Sequence, residues 1–255
     1  MPHKKMTLKE MAAVKHAILQ ETRRKPPTFA MTGVSGAGKS SVINRLFKTS
    51  LPVSHVRACT KEFISTDIGL QMNGGVASGT QVNLRVIDCP GNGEDITLES
   101  KYLDHYRQHL PEADVILHVS AARNRAVALE QQHLMALKEH SNRMVFGLSQ
   151  IDLVVPGNWN DRLNQPGKEQ LAHIAEICED RSARFSAVLD REVSFIPFSA
   201  QHGYGLQSLF TALIMACPKE RAFLFDGLKG FSFQDFIPAA ALKQLGSEIL
   251  QSNPQ

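Results

Sequence analysis

The chain has 255 residues, of which 43% are hydrophobic and 21% charged, and its formal net charge is +3. This composition is typical of a folded protein with a core, and the small charge alone does not indicate nucleic-acid binding. No apolar run reaches the roughly 18 residues that a membrane-spanning helix requires. No apolar stretch follows Lys4 and Lys5, and the cysteines lack metal-like spacing, so the sequence predicts a cytoplasmic protein with reduced thiols.

Residues 7–22 place apolar side chains at helical spacing, and Thr7 with Glu10 three positions later predicts a capping box. The string RRKPP at 23–27 ends this helix. We therefore assign residues 1–26 to an N-terminal amphipathic helix. A helix of this kind more often packs on its own domain, although its lysines leave peripheral contact with a membrane surface open.

From residue 28 onward, short apolar runs alternate with longer stretches of helical character. Such alternation predicts an α/β fold with βαβ units and a mostly parallel six-stranded sheet that has helices on both faces. The runs are TFAMTGV (28–34), VNLRVIDCP (82–90), ADVILHVS (113–120), RMVFGLSQ (143–150) and VSFIPFSA (193–200), with one further strand expected within 62–75. His118 lies inside one of these runs and is interpreted as a buried core histidine.

Helices are expected near residues 39–48, 97–110, 126–140, 167–180 and 204–216. The alternation stops after Pro218, so residues 27–218 are assigned to one domain. Residues 219–255 contain a Phe-rich loop and a predicted helix near 237–250. They are too few for an independent domain and are interpreted as a C-terminal extension packed on the main one.

The segment GVSGAGKSS, residues 33–41, lies between the first apolar run and the first of these helices and matches G-x-x-x-x-G-K-[ST]. Glycines allow successive N–H groups to surround a phosphate, and the positive end of the following helix faces the anion. Lys39 would reach the β- and γ-phosphates, and the Ser40 hydroxyl would ligate Mg²⁺. The expected contacts of this phosphate-binding loop are Ser35, Gly36, Ala37, Gly38, Lys39, Ser40 and Ser41.

Asp88 ends the run VNLRVI and begins DCPG, a D-x-x-G motif. A carboxylate at the end of a strand beside the phosphate-binding loop would hold Mg²⁺, and the Gly91 N–H would meet the γ-phosphate. Thr60 lies between the loop's helix and this strand and is the candidate to complete the Mg²⁺ shell in the triphosphate state. Thr49 and Thr66 are alternatives for that role.

Two further motifs follow later strands: SQID at 149–152 and FSA at 198–200. With the phosphate-binding loop, Thr60 and DCPG, their order resembles the five G motifs of the translation-factor-related GTPases. The resemblance implies that the Asp152 carboxylate accepts from N1–H and N2–H₂ of guanine, which adenine cannot offer. It also implies that the Ala200 N–H, beside Ser199, binds guanine O6. Gln150 stands where the motif has a lysine that lies along the base and ties back to the phosphate-binding loop.

The phrases GVSGAGKSSVIN, DCPGNGED and FSAQHGYGLQSL resemble the Era-like branch of bacterial P-loop GTPases, including its stand-alone YfjP/YeeP-type proteins, over about residues 28–218. The resemblance implies a G domain with GTP or GDP and Mg²⁺ as ligands. Ser149, Gln150 and Gln201 depart from the motifs, which predicts weaker nucleotide affinity without a changed base. Era proteins carry a C-terminal KH domain that binds ribosomal RNA, and residues 219–255 show no sign of one, so direct RNA binding is not implied.

Hydrolysis requires an oriented water and a neutralised γ-phosphate, and Lys39, Thr60 and Asn92 are the candidate catalytic residues. Asn92 stands where the resemblance places a water-orienting glutamine and is one methylene shorter. We therefore expect slow turnover that an activator or self-association accelerates, with residues 1–26 or 219–255 contacting a second copy or an effector. One alternative is a module that binds nucleotide, barely hydrolyses it and acts through a partner. A less favoured alternative is an ATP-using P-loop enzyme.

Overall fold

The fold is taken from a computed structural model, which describes residues 7–47, 64–71, 81–90, 99–125, 127–218 and 221. The α-helices of these ranges are α1 (Leu8–Arg24), α2 (Lys39–Phe47), α3 (Glu99–His109), α4 (Ala128–Ala136), α5 (Lys168–Leu189) and α6 (Leu206–Met215). The strands are β1 (Thr28–Thr32), β2 (Ile64–Gln71), β3 (Gln81–Asp88), β4 (Val115–Ala121), β5 (Met144–Ser149), β6 (Trp159–Asn160), β7 (Gln165–Pro166) and β8 (Phe195–Pro197).

Six of these strands form one sheet in the order β2-β3-β1-β4-β5-β8, and only β2 runs antiparallel to its neighbour. The predicted mostly parallel six-stranded sheet is therefore confirmed. The central strands β1, β4 and β5 are buried along their whole length. Continuous apolar runs mark strands that are covered on both faces, which explains why the sequence shows no alternation there.

Two apolar clusters cover the two faces of the sheet. On one face α2 and α6 pack on β1, where the rings of Phe29, Phe47 and Phe210 have centroids 6.4–6.5 Å apart. On the other face α3, α4 and α5 pack through a cluster that includes Phe146 and Phe185, whose ring centroids are 6.2 Å apart. In the described part of the chain, helices therefore cover both faces of the sheet, and a ligand of such a fold binds at the ends of the strands.

The structure corrects two sequence-based boundaries and adds one small element. Helix α5 continues to Leu189 rather than ending near residue 180, because no glycine or proline interrupts it and Phe185 and Leu189 extend its buried face. The helix expected over 126–140 ends at Ala136 and gives way to a 3-10 segment, Lys138–Arg143. The small hairpin of β6 and β7 was not predicted. The helix expected near residues 237–250 lies outside the described residues.

Helix α1 begins with the predicted capping box: Thr7 Oγ1 accepts from the Glu10 N–H at 3.2 Å, and the Glu10 carboxylate accepts from the Thr7 N–H at 2.7 Å. At its other end, Glu21 accepts from Arg221 at 3.0 Å, and Arg221 also pairs with buried Asp114 at 2.7 Å. These contacts attach the end of α1 to the start of β4. Among the described helices, α1 included, none has both the length and the apolarity to cross a membrane.

Candidate functional site

Four predicted segments meet at one edge of the sheet. The carboxyl ends of the parallel strands β1, β3, β5 and β8 all face this edge. The phosphate-binding loop follows β1, Asp88 closes β3, the SQID turn follows β5, and the segment 198–200 follows β8. Ligands of open α/β sheets bind outside the carboxyl ends of the strands, so this edge is the candidate site.

The phosphate-binding loop, residues 33–38, needs glycine at its first and last positions. Gly33 has φ 137° and Gly38 has φ 91°, both in the region that L side chains rarely adopt. A Cβ at Gly33 would lie 2.1 Å from the Val119 carbonyl oxygen of the neighbouring strand. The loop then runs directly into α2, which begins at Lys39 and presents its N-terminal N–H groups to the loop.

Lys39 lies inside the loop rather than in solvent. Its side chain is 6% exposed, and its ammonium donates to the Gly33 carbonyl at 3.0 Å and to the Val34 carbonyl at 3.2 Å. These carbonyls keep the Lys39 ammonium at the loop. A bound phosphate oxygen would compete with them for the three N–H donors of the ammonium. This position suits the phosphate contact that the sequence predicts for Lys39, and that contact stays a prediction.

The two metal-site residues that fall in described segments lie next to each other. Ser40 Oγ donates to the Asp88 carboxylate at 2.7 Å, and Asp88 is 1% exposed. Buried Tyr106 of α3 donates to the Pro90 carbonyl at 2.5 Å, which fixes the segment after Asp88. A hydroxyl and a carboxylate are the oxygen donors that Mg²⁺ prefers when phosphates and waters complete its shell, so these residues fit the ion.

The remaining predictions at this end of the site cannot be placed. Thr60, Gly91 and Asn92 lie outside the described residues, as does Thr49. Their roles as metal ligand, γ-phosphate contact and water-orienting group stay predictions from the sequence.

The SQID turn is bonded to the phosphate-binding loop. Gln150, with φ 58°, donates its side-chain amide to the Gly36 carbonyl at 2.7 Å. Ser149 Oγ donates to the Ala37 carbonyl at 2.5 Å. The tie that the motif assigns to a lysine is thus made here by a neutral amide and a neighbouring hydroxyl.

Asp152 lies in a 3-10 turn, Ile151–Leu153, that a distant side chain supports. Gln170 of α5 is 0% exposed, and its amide donates to the carbonyls of Ile151 at 3.2 Å, Asp152 at 3.1 Å and Val154 at 2.9 Å. Sequence reasoning missed this residue. The available signal is a polar side chain at helical spacing from the buried Ile174, on the inner face of α5.

The second predicted base-reading segment is closed by its own hydrogen bonds. The Ser199 N–H donates to the Tyr204 carbonyl at 2.9 Å, and Ser199 Oγ accepts from the His202 N–H at 3.1 Å. Trp159 of the β6–β7 hairpin stacks on His202 with ring centroids 4.3 Å apart. The hairpin therefore braces this segment, and Ala200 lies half-buried at the same edge of the sheet.

A buried polar chain leads from α5 to the residue before the phosphate-binding loop. Arg181 contacts Ser120 and lies 3.9 Å from the Glu130 carboxylate, which lies 3.6 Å from His118 Nε2. His118 Nδ1 is 3.2 Å from the hydroxyl of Thr32. His118 is fully buried, as its interpretation as a core histidine requires.

Burial governs the titration of these groups. Burial opposes ionisation of Glu130, but the contacts with His118 and Arg181 outweigh it and lower the pKa of this carboxyl. Burial, followed by repulsion from His118 and Lys39, lowers the pKa of His133 to about 3, so its ring is neutral at physiological pH. Burial also raises the pKa of the Cys89 thiol well above its usual range. Cys89 therefore stays protonated beside the metal-site residues.

Comparison with known proteins identifies a family and relatives that this chain resembles. Residues 28–150 match the protein family described as "50S ribosome-binding GTPase". The chain is also similar to the uncharacterized protein YfjP of Escherichia coli K12, with 30% identity over 155 residues, or 60% of this chain and 50% of YfjP. The chain thus spans about half the length of the curated relatives it matches.

Two solved structures share the fold. Era of Aquifex aeolicus, bound to GDP and AlF₄⁻, has a TM-score of 0.55 and 21% identity and covers 75% of this chain and 57% of its own. Toc33 of Arabidopsis thaliana, in complex with Mg²⁺ and GMPPNP, has a TM-score of 0.51 and 17% identity over 74% of this chain and 79% of its own. At these identities the likeness shows the fold alone. The fold and the family match together confirm the resemblance inferred from the motifs.

Proposed function

We propose that the chain is an Era-like P-loop GTPase that binds GTP and GDP with Mg²⁺ and hydrolyses GTP slowly as a nucleotide-dependent switch, since residues 28–150 match a GTPase family and the fold is shared with Era. One observation carries the proposal: the 2.7 Å bond from Gln150 to the Gly36 carbonyl joins the SQID turn to the phosphate-binding loop. This bond sets the separation between a phosphate site and a base site. A ligand that fills both sites must carry a base and a phosphate chain.

In the phosphate half of the site, residues 35–41 supply backbone N–H groups, the Lys39 ammonium and the Ser40 hydroxyl. Ser40 and Asp88 would hold Mg²⁺, with Thr60 as the third protein ligand in the triphosphate state. When bound, the ion supplies positive charge to the phosphate oxygens. Lys39 adds a second positive charge, which its low exposure places in surroundings where electrostatic interactions are strong.

In the base half, the Asp152 carboxylate accepts from the two guanine donors, and the Ala200 N–H, beside Ser199, donates to O6. Adenine would leave the carboxylate without donors and place its amino group against the Ala200 N–H. A site built to bond a particular donor rejects an analogue without it by a large factor, because the polar groups of the site are left unpaired. Guanine is therefore the base of this proposal.

We expect the isolated protein to hydrolyse GTP at about 10⁻² s⁻¹ or slower, as GTPases do without an activating partner. The reason is that Asn92 is shorter than a water-orienting glutamine, while Gly91 and Lys39 still hold the γ-phosphate. Single-turnover assays on dilute protein measure this rate, and Lys39→Ala and Asp88→Ala, which remove a phosphate charge and a metal ligand, serve as inactive controls.

Fast turnover by the dilute monomer would contradict slow intrinsic hydrolysis. A rate equal to that of the Lys39→Ala control would favour the alternative of a module that binds nucleotide without hydrolysing it. Either result leaves nucleotide binding to be judged separately by titration.

A second copy of the chain or an effector protein is the proposed accelerator. A Toc33 mutant is described as dimerization-deficient, which shows that one protein of this fold self-associates. We place the contact on residues 1–26 or 219–255, outside the proposed G domain of residues 27–218. A hydrolysis rate per molecule that rises with protein concentration would support self-association, and a constant rate would argue against it.

The cytoplasmic location stays a prediction from the sequence.

A further inference from the structure

Resting on the function proposed above, we infer that Gln170 is a positioning residue for guanine recognition. Its buried amide holds the turn that carries Asp152 in the orientation that guanine requires. The residue lies on α5, outside the five nucleotide motifs, and it would touch neither the base nor the phosphates. It acts through the backbone of the turn.

The geometry of Gln170 is that of a support built for one turn. Its Nε2 lies 2.9–3.2 Å from the carbonyls of Ile151, Asp152 and Val154, and the residue is 0% exposed. The Ile151 carbonyl also accepts from the Val154 N–H at 3.2 Å, and the Val154 carbonyl accepts from the Gly157 N–H at 2.9 Å. Gln170 adds a buried donor to these two carbonyls and contacts the Asp152 carbonyl between them, where buried backbone acceptors require a partner. The Gln170 Oε1 atom has no hydrogen-bond partner within the described part of the chain. The N–H donors of the amide, and not its oxygen, therefore make the hydrogen bonds of this side chain.

The position of Asp152 depends on its backbone. Its carboxylate makes no hydrogen bond or ion pair with any other described residue, so no side-chain contact sets its direction. Gln170 bonds the carbonyl of Asp152 itself, and Gln150 fixes the start of the turn from the other side through Gly36. His173 adds a third contact, at 2.8 Å from the Val155 carbonyl.

Gln150 and Gln170 together restrain the turn that the motif's lysine would otherwise tie to the phosphate-binding loop. Gln150 is neutral and reaches the phosphate-binding loop only at the Gly36 carbonyl. It restrains the start of the turn. Gln170 restrains the rest of the turn, because its contacts extend from Ile151 through Asp152 to Val154. A bidentate contact to guanine tolerates little misplacement, so this restraint bears on specificity as well as on stability.

The test replaces Gln170 with methionine, which keeps the length and shape of the side chain and removes both donors. Calorimetry with the full chain and Mg²⁺ measures the dissociation constants for GDP, IDP and ADP. Asp152 has two partners on guanine, one on hypoxanthine and none on adenine. We therefore expect Gln170→Met to weaken GDP by about tenfold, IDP by less and ADP not at all.

Two further variants separate positioning from general damage. Gln132→Met makes the same change at an exposed site on α4 and should leave all three constants unchanged. In an Asp152→Ala background, Gln170→Met should cost no further GDP affinity, because the carboxylate that it positions is gone. If Gln170→Met does not fold, Gln170→Asn, which retains the amide one methylene short, should give the same order of losses with smaller values.

Equal losses for the three nucleotides would overturn the inference, since a loosened fold does not distinguish bases. An unchanged ratio of GDP to ADP affinity in a folded variant would overturn it as well, as would additive losses with Asp152→Ala. Failure of the proposed function has a different signature, because the unmodified protein would then show no preference for GDP over ADP.

Discussion

Replacing Asp152 with asparagine should exchange the preference of the site from guanine to xanthine nucleotides. The asparagine side chain offers one N–H donor and one acceptor, which match the O2 carbonyl and N1–H of xanthine. Guanine loses its two hydrogen bonds to the charged Asp152 carboxylate. The asparagine N–H also faces the guanine amino group, so two donors oppose each other. We expect GDP affinity to fall by about a hundredfold or more and XDP to bind in its place.

Calorimetric titration of Asp152→Asn with GDP and XDP measures this exchange. Asp161→Asn is the matched control, because Asp161 is exposed on the hairpin that follows the same turn. The control should retain GDP binding and gain no XDP binding. Unchanged GDP affinity in Asp152→Asn would remove Asp152 from the base site and return the choice of base to an open question.

The second large effect concerns stability. Arg181→Met should lower the free energy of unfolding by about 3–5 kcal/mol, because it leaves the Glu130 carboxylate buried without its guanidinium partner. It also removes the donor to Ser120 and to the Asn124 carbonyl. Urea denaturation followed by circular dichroism measures the change.

Arg184→Met on the same helix is the control for this substitution. Arg184 and its partner Asp180 are each about half-exposed, at 52% and 53%, so the loss there should stay below about 1 kcal/mol. Equal effects of the two variants would mean that the buried pair contributes no more than a surface pair. If the pair acts as a unit, Glu130→Gln combined with Arg181→Met should cost less than the sum of the single changes.

The lowered pKa of Glu130, which the contact with His118 causes more than the charge of Arg181, gives this carboxylate a pH signature. The stability that an ionised Glu130 contributes is present above the ordinary pKa of a glutamate and is lost as pH falls through the lowered value. Glu130→Gln removes this titration. The acid-induced loss of stability should therefore be smaller in that variant than in the unmodified protein.

Patterns that are local in the chain predicted much of the architecture and part of the site. The fully buried β1 and the glycines after it form a strand and a loop because a buried strand and positive φ values favour the residue types found there. The proximity of Asp88 to Ser40 follows from the sheet topology. Parallel strands present their carboxyl ends at one edge of the sheet, so the side chains that follow them lie close together there.

Contacts between distant elements could not be read in this way. Gln170 reaches back 16–19 residues to the Asp152 turn. Arg181 meets Glu130 across two helices, and Trp159 meets His202 from a two-residue strand that is too short to leave a periodic pattern. A polar residue on an amphipathic helix has the same sequence signature whether its partner is water or a buried carbonyl. Only the packing of α5 on the sheet distinguishes the two.

The central claim is that one guanine nucleotide spans the phosphate-binding loop and the Asp152 turn. Isothermal titration of the full chain with GTP, GDP and ATP in the presence of Mg²⁺ tests it most directly. The account predicts that GTP and GDP bind and that ATP binds about a hundredfold more weakly or worse, because adenine leaves the Asp152 carboxylate unpaired. ATP binding as tight as GTP binding, or no binding of either guanine nucleotide, would contradict it.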